Sequence, residues 1–254
     1  MRGVLFDIDG TLLGRSSAHL PCLVQAVNDA FGATGRIEMQ GERPFLDGRD
    51  VAGWTDAQVM RSMLAAIGRA DDLGSMPPLM DSYATRFESA LAEGASPGIV
   101  LPGVEDSLRR LATAGVQLGL VTGNAARVAE AKLRRVGLAA WFAFDGDAGF
   151  GDWREDRAAL VPAALAALDL PASLQVALVG DTAADVGAAR RSQLFAVGVE
   201  TGAASAEELE AAGAFLVVSD LRGFYRALMT ATGARKERCP PGRALTVRDG
   251  VLGL

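Results

Sequence analysis

Short apolar runs that end abruptly in polar turns are the feature that most constrains the fold of this chain. Residues 4–6 (Val-Leu-Phe) lead directly into 7–11 (Asp-Ile-Asp-Gly-Thr), and later apolar runs end in the same way at Val121 and Val179. A short apolar run bounded by turn residues indicates a strand buried on both faces, as in parallel sheets. Because ligands of open α/β sheets bind outside the carboxyl ends of the strands, these turns are the predicted site of chemistry.

Helical segments alternate with predicted strands over the second half of the chain. The predicted elements are helices at 104–114, 125–136 and 157–168, and strands at 117–121, 141–144, 175–179, 195–199 and 215–218. Alternating β and α units of this length are typical of a doubly wound parallel sheet. We therefore predict the α/β fold class.

An insertion directly after the first strand interrupts this alternation. Residues 14–93 are predicted to be all-helical, with helices near 20–32, 55–70 and 77–92 and a glycine-rich loop at 33–53. The predicted organisation is a core formed by 1–13 and 94–232, the insertion, and a tail at 233–254. In the tail, 234–242 is expected to lack regular structure, and the pattern at 246–252 predicts a small hairpin around Asp-Gly.

Composition and charge argue against several classes of function. A net charge of −6 disfavours binding to nucleic acid, which requires clustered Lys and Arg. No segment approaches the ~20 consecutive apolar residues of a membrane span, and strand-like sequence directly after Met1-Arg2-Gly3 leaves no room for a secretory signal. Because the two cysteines are far apart, the chain is expected to be cytoplasmic.

Two scarce residue types narrow the chemistry further. His19 is the only histidine, so a histidine-rich zinc or iron site cannot be built, and we expect a surface or capping role for it. Lysine occurs only at Lys132 and Lys236, and an active-site cation is therefore expected to be arginine. Carboxylates, hydroxyls, arginine and a hard metal ion remain as the chemical inventory.

The acidic turn after the first strand offers two carboxylates to one pocket. Asp7 and Asp9 would point in opposite directions in an extended strand, but Gly10 permits the bend that brings them together. Asp7 can then face a metal ion, and Thr11 can bind phosphate or hold the turn. A strand followed by an Asx-type turn explains the same residues without a function.

Two further turns follow predicted strands. The turn at 122–124 (Thr-Gly-Asn) precedes a helix, where free amides offer a phosphate site, although a capped strand-to-helix turn has the same pattern. Asp181 and Asp185 lie four residues apart at another helix start, where acids also act as caps. Together with Asp7 and Asp9 they would repel one another without a cation. Mg²⁺ is the predicted ion because it prefers oxygen ligands.

Positive charge beside the phosphate is predicted to come from the segment 152–157. Arg157 enters the following helix and can point back over the edge of the sheet, and Arg154 is the alternative. A surface ion pair also explains either arginine. We favour Arg157 as the active-site cation.

Taken together, these motifs resemble the haloacid dehalogenase-like (HAD) hydrolase superfamily, in its phosphoglycolate-phosphatase-like branch. The resemblance spans residues 1 to about 220 and rests on Asp7-x-Asp9-Gly10-Thr11, Thr122-Gly123-Asn124, Arg157 and Gly180-Asp181-x-x-x-Asp185. The third motif of this family is often lysine followed by proline, and here arginine stands in its place. Arginine cannot lose its charge, and it is bulkier and planar.

The resemblance implies a reaction through an aspartyl-phosphate. Asp7 would attack phosphorus and ligate Mg²⁺, while Asp9 would act as general acid and base and bind the metal through its backbone carbonyl. Asp181 would be a further metal ligand, and Asp185 would ligate through water or orient the site. The residues that would hold the phosphoryl oxygens are Thr122, Gly123 and Asn124, with Thr11 in the same turn as Asp9.

The resemblance also implies that the insertion is a mobile cap that closes over the substrate. Residues 53–56 (Gly-Trp-Thr-Asp) resemble a short element in the caps of related members, which makes Trp54, Thr55 and Asp56 candidates for substrate selection. A plain helix cap beside a packed tryptophan is the simpler interpretation.

The predicted activity is Mg²⁺-dependent hydrolysis of a small phosphorylated metabolite, with phosphoglycolate indicated by the resemblance alone. A phosphomutase of the same fold is the nearest alternative, since no residue separates the two reactions. A C–halogen hydrolase would not need the acid at Asp9. A catalytically silent binding protein on the same fold would not need all four motifs. No nucleic-acid or membrane partner is expected, and the oligomeric state is left open.

Overall fold

Helices and strands alternate along most of the computed structural model, which describes residues 1–144, 149–173, 175–234, 245–248 and 251–253. The helices are α1 (His19–Phe31), α2 (Asp56–Ala66), α3 (Met76–Ala92), α4 (Val104–Thr113), α5 (Ala126–Arg135), α6 (Val161–Ala167), α7 (Ala183–Arg191), α8 (Ala206–Ala212) and α9 (Phe224–Ala234). The strands are β1 (Gly3–Phe6), β2 (Ile37–Gln40), β3 (Arg43–Leu46), β4 (Arg49–Asp50), β5 (Gln117–Leu120), β6 (Val176–Gly180), β7 (Phe195–Val199), β8 (Leu216–Val218), β9 (Leu245–Arg248) and β10 (Val251–Gly253).

The central sheet has seven strands within the described residues, in the order β10-β9-β8-β7-β6-β1-β5. Every neighbouring pair from β5 to β9 is parallel, and β10 is antiparallel to β9. Phe6, the last residue of β1, is aligned with Leu120 of β5 and Val179 of β6. The carboxyl ends of these three strands therefore meet at one edge of the sheet, and the turns that follow them lie side by side.

Helices cover both faces of this sheet, which explains why the strands are continuously apolar. Val4 and Phe6 belong to the core layer that contains residues of α4, α5 and α9, whereas Leu5 belongs to the layer of α6, α7 and α8. All four residues of β1 are buried. The predicted doubly wound parallel sheet is thus confirmed.

Contrary to the prediction of an all-helical segment, the insertion contains a small antiparallel sheet besides its three helices. The predicted loop at 33–53 holds β2, β3 and β4, which pair in that order. Asp47 and Gly48 join β3 to β4, and both have positive φ, as a tight hairpin turn requires. The strands are only two to four residues long and β2 is mostly exposed, so apolar alternation is too weak to predict them.

The three helices of the insertion share a core of their own. Tyr83 and Phe87 of α3 are fully buried there, against residues of α1 and α2. Val128 of α5 belongs to the same cluster, so this core extends onto the parallel sheet's own helices.

Two predicted elements of the core differ from the structure. Residues 141–144 do not form a strand; a 3₁₀ turn at Ala139–Trp141 precedes them, and Phe144 stacks on Phe150. The aromatic residues of this segment pack against the core cluster and do not pair with a neighbouring strand of the described chain, which explains why an apolar run here is not a strand. The helix predicted at 157–168 begins as a 3₁₀ turn, Arg157–Leu160, before α6.

The tail forms the predicted hairpin in so far as the structure describes it. β9 pairs with β10 in antiparallel fashion and extends the sheet beside β8. The hairpin turn at 249–250 and residues 235–244, most of the stretch expected to be irregular, lie outside the described residues. In the part of the chain that is described, no helix combines the length and the apolar character needed to cross a bilayer.

Candidate active site

The turn after β1 bends as predicted. Gly10 adopts a φ of 83°. A Cβ at this position would lie 2.3 Å from Oδ2 of Asp181. Asp7 and Asp9, which precede this bend, are both buried, and the Asp7 amide donates to the carbonyl of Val179 at 2.9 Å. Only glycine fits here, because the backbone is left-handed and an acid from the neighbouring strand packs against it.

Three buried carboxylates meet at the edge of the sheet. Oxygen atoms of Asp7, Asp181 and Asp185 all lie within 4.8 Å of one another. Asp185 also caps α7, where its Oδ2 accepts from the Thr182 hydroxyl at 2.6 Å and from the Thr182 amide at 3.1 Å. Its capping and clustering roles are therefore compatible, since they use different oxygens of one carboxylate.

Arg157 supplies positive charge to this cluster. Its Nη2 lies 2.6 Å from Oδ1 of Asp7, and its Nε lies 2.5 Å from Oδ1 of Asp185. The guanidinium is 5% exposed, and its Nη1 donates to the carbonyl of Gly53 in the insertion at 3.3 Å. Arg157, rather than the partly exposed Arg154, is thus the arginine that reaches Asp7.

Burial and mutual repulsion shift the pKa values of the clustered acids. Burial raises the pKa of Asp7 to about 6, with Arg157 opposing the shift. Burial, followed by the charges of Asp7 and Asp185, raises the pKa of Asp181 to about 7. Burial opposes the charge of Arg157, but Asp185 and Asp7 raise its pKa above the ordinary value. Without a further cation, the cluster therefore retains protons near neutrality.

The unused oxygens of this cluster fit a hard divalent cation. Among the described residues, Oδ1 of Asp181 is buried and has no hydrogen-bond donor, whereas Oδ1 of Asp185 is ion-paired with Nε of Arg157. Buried carboxylate oxygens without donors are costly, and a cation with oxygen preference relieves that cost. The Asp9 carboxylate lies outside this group of three, so of the predicted ligands Asp9 can join only through its backbone carbonyl.

A lysine that the sequence analysis set aside contacts Asp9. Lys132 of α5 is fully buried, and its Nζ lies 2.6 Å from Oδ2 of Asp9. The expectation that the cations of the site would all be arginines is therefore wrong. Burial alone would raise the pKa of Asp9, but the ammonium group of Lys132, with a contribution from the guanidinium of Arg15, lowers it below its ordinary range.

His19 is buried rather than a surface or capping residue. Its Nε2 lies 2.9 Å from Oδ1 of Asp56, and its Nδ1 lies 3.1 Å from Nζ of Lys132. Its ring stacks on Tyr83, whose hydroxyl donates to Oδ2 of Asp56 at 2.9 Å. Spacing along α1 places His19 in the first turn, but only the packing of α1 on α3 shows that this turn faces inward.

The predicted phosphate-binding residues differ in their availability to a ligand. The Thr122 hydroxyl accepts from the amide of Asn124 at 3.3 Å and so holds its own turn. The side chain of Asn124 donates to Oδ2 of Asp9 at 2.8 Å. Thr11 is fully buried, and no partner for its hydroxyl exists in the described part of the chain. A Cβ on Gly123 would lie 2.4 Å from the carbonyl of Trp54, so the insertion approaches this turn closely.

The three cap candidates occupy different positions. The Thr55 hydroxyl accepts from the amide of Gln58 at 3.1 Å and caps α2. Both oxygens of Asp56 have partners, including the amide of Ala125 at 2.8 Å. Trp54 is partly exposed and lines the cavity. Of the three side chains, that of Trp54 is the one available to contact a ligand.

Two adjoining cavities meet at Asp9. The first has a volume of about 40 Å³ and is bordered by Asp7, Arg157 and Trp54 among others. The second has a volume of about 310 Å³ and lies between the start of α1 and the β2–β3 hairpin. Asp9, Arg15 and His19 line both cavities. The small chamber holds the acids, and the larger one leads away from Asp9 along the insertion.

A family profile matches most of the chain and defines its class. The profile described as haloacid dehalogenase-like hydrolase matches residues 1–193, and a related profile matches 155–239. The chain belongs to the haloacid dehalogenase-like hydrolases, as its motifs predicted.

Comparisons with individual proteins indicate the branch of the family to which the chain is similar. A phosphoglycolate phosphatase of Pseudomonas putida is 30% identical over 227 residues, covering 87% of this chain and 77% of that protein. A phosphoglycolate phosphatase of Caulobacter vibrioides is 28% identical over 227 residues, covering 89% and 90%. The predicted phosphoglycolate-phosphatase-like branch is therefore confirmed. The crystal structure of a β-phosphoglucomutase from Clostridium difficile shares the fold, with a TM-score of 0.70 at 14% identity over 94% of this chain and 100% of that one.

Proposed function

We propose that this chain is a Mg²⁺-dependent phosphomonoester hydrolase that acts on a small, phosphoglycolate-like metabolite through an aspartyl-phosphate. The observation that carries the proposal is the convergence of Asp7, Asp181 and Asp185 within 4.8 Å, with Arg157 on Asp7. Family membership and the names of the curated relatives support a phosphatase.

Asp7, Asp181 and Asp185 would hold the metal ion, together with the backbone carbonyl of Asp9. When bound, Mg²⁺ would neutralise charge on the phosphoryl oxygens and keep the carboxylates ionised. The raised pKa values of Asp7 and Asp181 support this assignment, because the acids lack sufficient positive charge without a metal.

Nucleophilic attack, proton transfer and binding of the phosphoryl oxygens would be carried out by residues of the chain. Asp7 would attack phosphorus through a carboxylate oxygen, with Arg157 stabilising the charge of the transferring group. Asp9 would give a proton to the leaving oxygen and later take one from the attacking water. The amides of Gly123 and Asn124 and the hydroxyls of Thr11 and Thr122 would hold the phosphoryl oxygens.

The insertion would act as the cap of the enzyme. We assign 14–93 to the cap, 1–13 with 94–232 to the catalytic core, and 233–254 to a tail. Trp54, Thr55 and Asp56 remain the proposed specificity segment, in which Trp54 would contact substrate while the other two fix the loop. The 40 Å³ chamber has room for about three waters, at ~10–15 Å³ each, so the cap must open to admit an ester.

A panel of phosphorylated metabolites, assayed for phosphate release with Mg²⁺ and with excess EDTA, tests the proposal. The wild type should hydrolyse small esters only with the metal, and Asp7→Asn and Asp9→Asn should both lose turnover. Asp71→Asn, which removes an exposed carboxylate elsewhere, is the matched control and should keep full activity. Undiminished activity of Asp7→Asn would contradict the assigned nucleophile, and an isomerised sugar phosphate as the product would favour a phosphomutase.

A further inference from the structure

The ammonium of Lys132 is a fully buried charged group that the proposed mechanism leaves unused. This side chain is 0% exposed and lies beside the ring of Phe87, with Nζ 5.8 Å from the ring centroid. None of the four family-like motifs contains it. A buried ammonium is costly unless it is both paired and hydrogen-bonded. The groups that surround Nζ should therefore indicate the role of Lys132.

Three acceptors surround Nζ of Lys132 and use its three hydrogens. They are Oδ2 of Asp9 at 2.6 Å, Oδ1 of Asn124 at 2.7 Å and Nδ1 of His19 at 3.1 Å. An ammonium has three donors and no acceptor, so this acceptor set satisfies it completely. If His19 accepts at Nδ1, its Nε2 must carry the hydrogen, which matches the contact with Asp56.

The acceptor set holds one oxygen of Asp9 and leaves the other open. Oδ2 of Asp9 receives both Lys132 and the side-chain amide of Asn124, at 2.6 and 2.8 Å. Within the described residues, Oδ1 has no donor, although it is buried. Asp9 lines both cavities, so its carboxylate lies between the phosphate chamber and the larger cavity. A leaving-group oxygen would have to pass this junction.

Part of the acceptor set comes from the insertion. Asp9, Asn124 and Lys132 belong to the core, whereas His19 belongs to the insertion and is tied to Asp56. Asp56 in turn accepts from the amide of Ala125 at the start of α5. The third acceptor of Lys132 is therefore present only when the insertion packs on the core as it does here.

We propose that Lys132 is a positioning residue for Asp9: it holds Oδ2 so that Oδ1 faces the leaving-group oxygen, and His19 completes its coordination when the cap is closed. This inference rests on the proposed phosphatase function. It explains why buried charges are kept at this position, although replacing a whole buried ion pair by apolar residues of similar volume is often neutral or stabilising.

Leaving-group dependence distinguishes positioning of Asp9 from a purely structural role. Asp9 is needed most for an alkyl phosphate, whose alkoxide is a poor leaving group, and least in the first turnover of p-nitrophenyl phosphate. For Lys132→Met we expect kcat on alkyl phosphates to fall by about 10²-fold or more, the usual size of general acid contributions. The KM and the p-nitrophenol burst amplitude should remain close to wild type.

A matched control and a milder variant accompany this substitution. Arg135→Met removes an exposed charge from the same helix and should leave both substrates unaffected. His19→Leu removes one acceptor of three and should show the same selectivity for alkyl phosphates with a smaller loss. It keeps the test valid if Lys132→Met does not fold.

The outcomes separate this inference from the proposed function. Equal losses of the first-turnover rate on both substrates, or no loss on alkyl phosphates, would overturn the role of Lys132 while Asp7→Asn still abolishes turnover. Turnover that survives in Asp7→Asn would instead defeat the proposed function itself. Independently of activity, a crystal structure of Lys132→Met in which Asp9 keeps its orientation would overturn the inference, since we expect the carboxylate to rotate.

Discussion

Replacing Arg157 with methionine should destabilise the metal-free protein strongly, because Arg157 is the cation that contacts two of the three clustered acids. Its nitrogens lie 2.6 and 2.5 Å from Asp7 and Asp185, and all three groups are at most 7% exposed. Arg15 approaches only Asp181, at 3.6 Å, and cannot replace it. Removing one partner of a buried ion pair costs ~3–5 kcal/mol, because a buried charge is left without compensation.

The size of this effect can be measured by thermal and urea unfolding in EDTA. A loss of ~3–5 kcal/mol corresponds to a decrease of about 6–20 °C in Tm, at ~2–4 °C per kcal/mol for a domain of this size. Mg²⁺ should restore part of the loss, since it supplies positive charge to the same carboxylates. The deficit should also shrink as pH falls, because protonation of Asp7 and Asp181 removes the repulsion.

Arg134→Met is the matched control for this experiment. Arg134 pairs with Glu130 at 2.6 Å on an exposed helix face, where it is 72% exposed. A surface pair of this kind contributes about 0.3–0.5 kcal/mol. The reasoning would be refuted if Arg157→Met unfolded in EDTA with the same free energy as Arg134→Met, or if Mg²⁺ failed to separate the two variants.

Three further expectations concern the acid cluster and its turn. The pKa values of Asp7 and Asp181 are raised to about 6 and about 7, so between pH 4 and 7 the folded, metal-free protein binds more protons than the unfolded chain. Its free energy of unfolding should therefore fall as pH rises through this window. Urea titrations in EDTA that show no fall would contradict the assignment. By the same linkage, Mg²⁺ binding should release protons and weaken below pH 6, which isothermal titration in buffers of different ionisation enthalpy measures. Gly10→Ala should lower the free energy of unfolding more than Gly68→Ala does. Both positions have positive φ (83° and 76°), but the new Cβ would lie 2.3 Å from an atom of Asp181 at Gly10 and in open space at Gly68. Equal losses, measured by urea unfolding, would show that crowding by Asp181 contributes nothing.

Much of the core fold was predictable because β1, β6, β7 and β8 are buried along their whole length. The strands that carry the motifs, β1, β5 and β6, differ from the predicted bounds by one residue at most. The antiparallel strands of the insertion were missed, since β2 to β4 are short and half exposed and their periodicity is weak. In that segment the hairpin is indicated by the Asp47-Gly48 turn and not by the periodicity of the strands.

The acid cluster was predictable for a related reason. The carboxyl ends of parallel neighbours lie at one edge of a sheet, so motifs that follow β1 and β6 must meet, and Asp7, Asp181 and Asp185 do. Lys132 was not predictable in this way. Its helical spacing from Val128 and Ala129 puts it on the apolar face of α5, but no pattern in the sequence indicates Asp9 as its partner.

The sequence by itself determined the α/β class, the order of the motifs and the chemical types available to the site, because these follow from local periodicity and from residue identity. Only the tertiary structure decided that Arg157 reaches Asp7, that His19 is buried, and that Lys132 holds Asp9. Those contacts join segments about 113 to 150 residues apart in the chain. They depend on how α5 and the insertion pack, and packing is set by side chains that are distant in sequence.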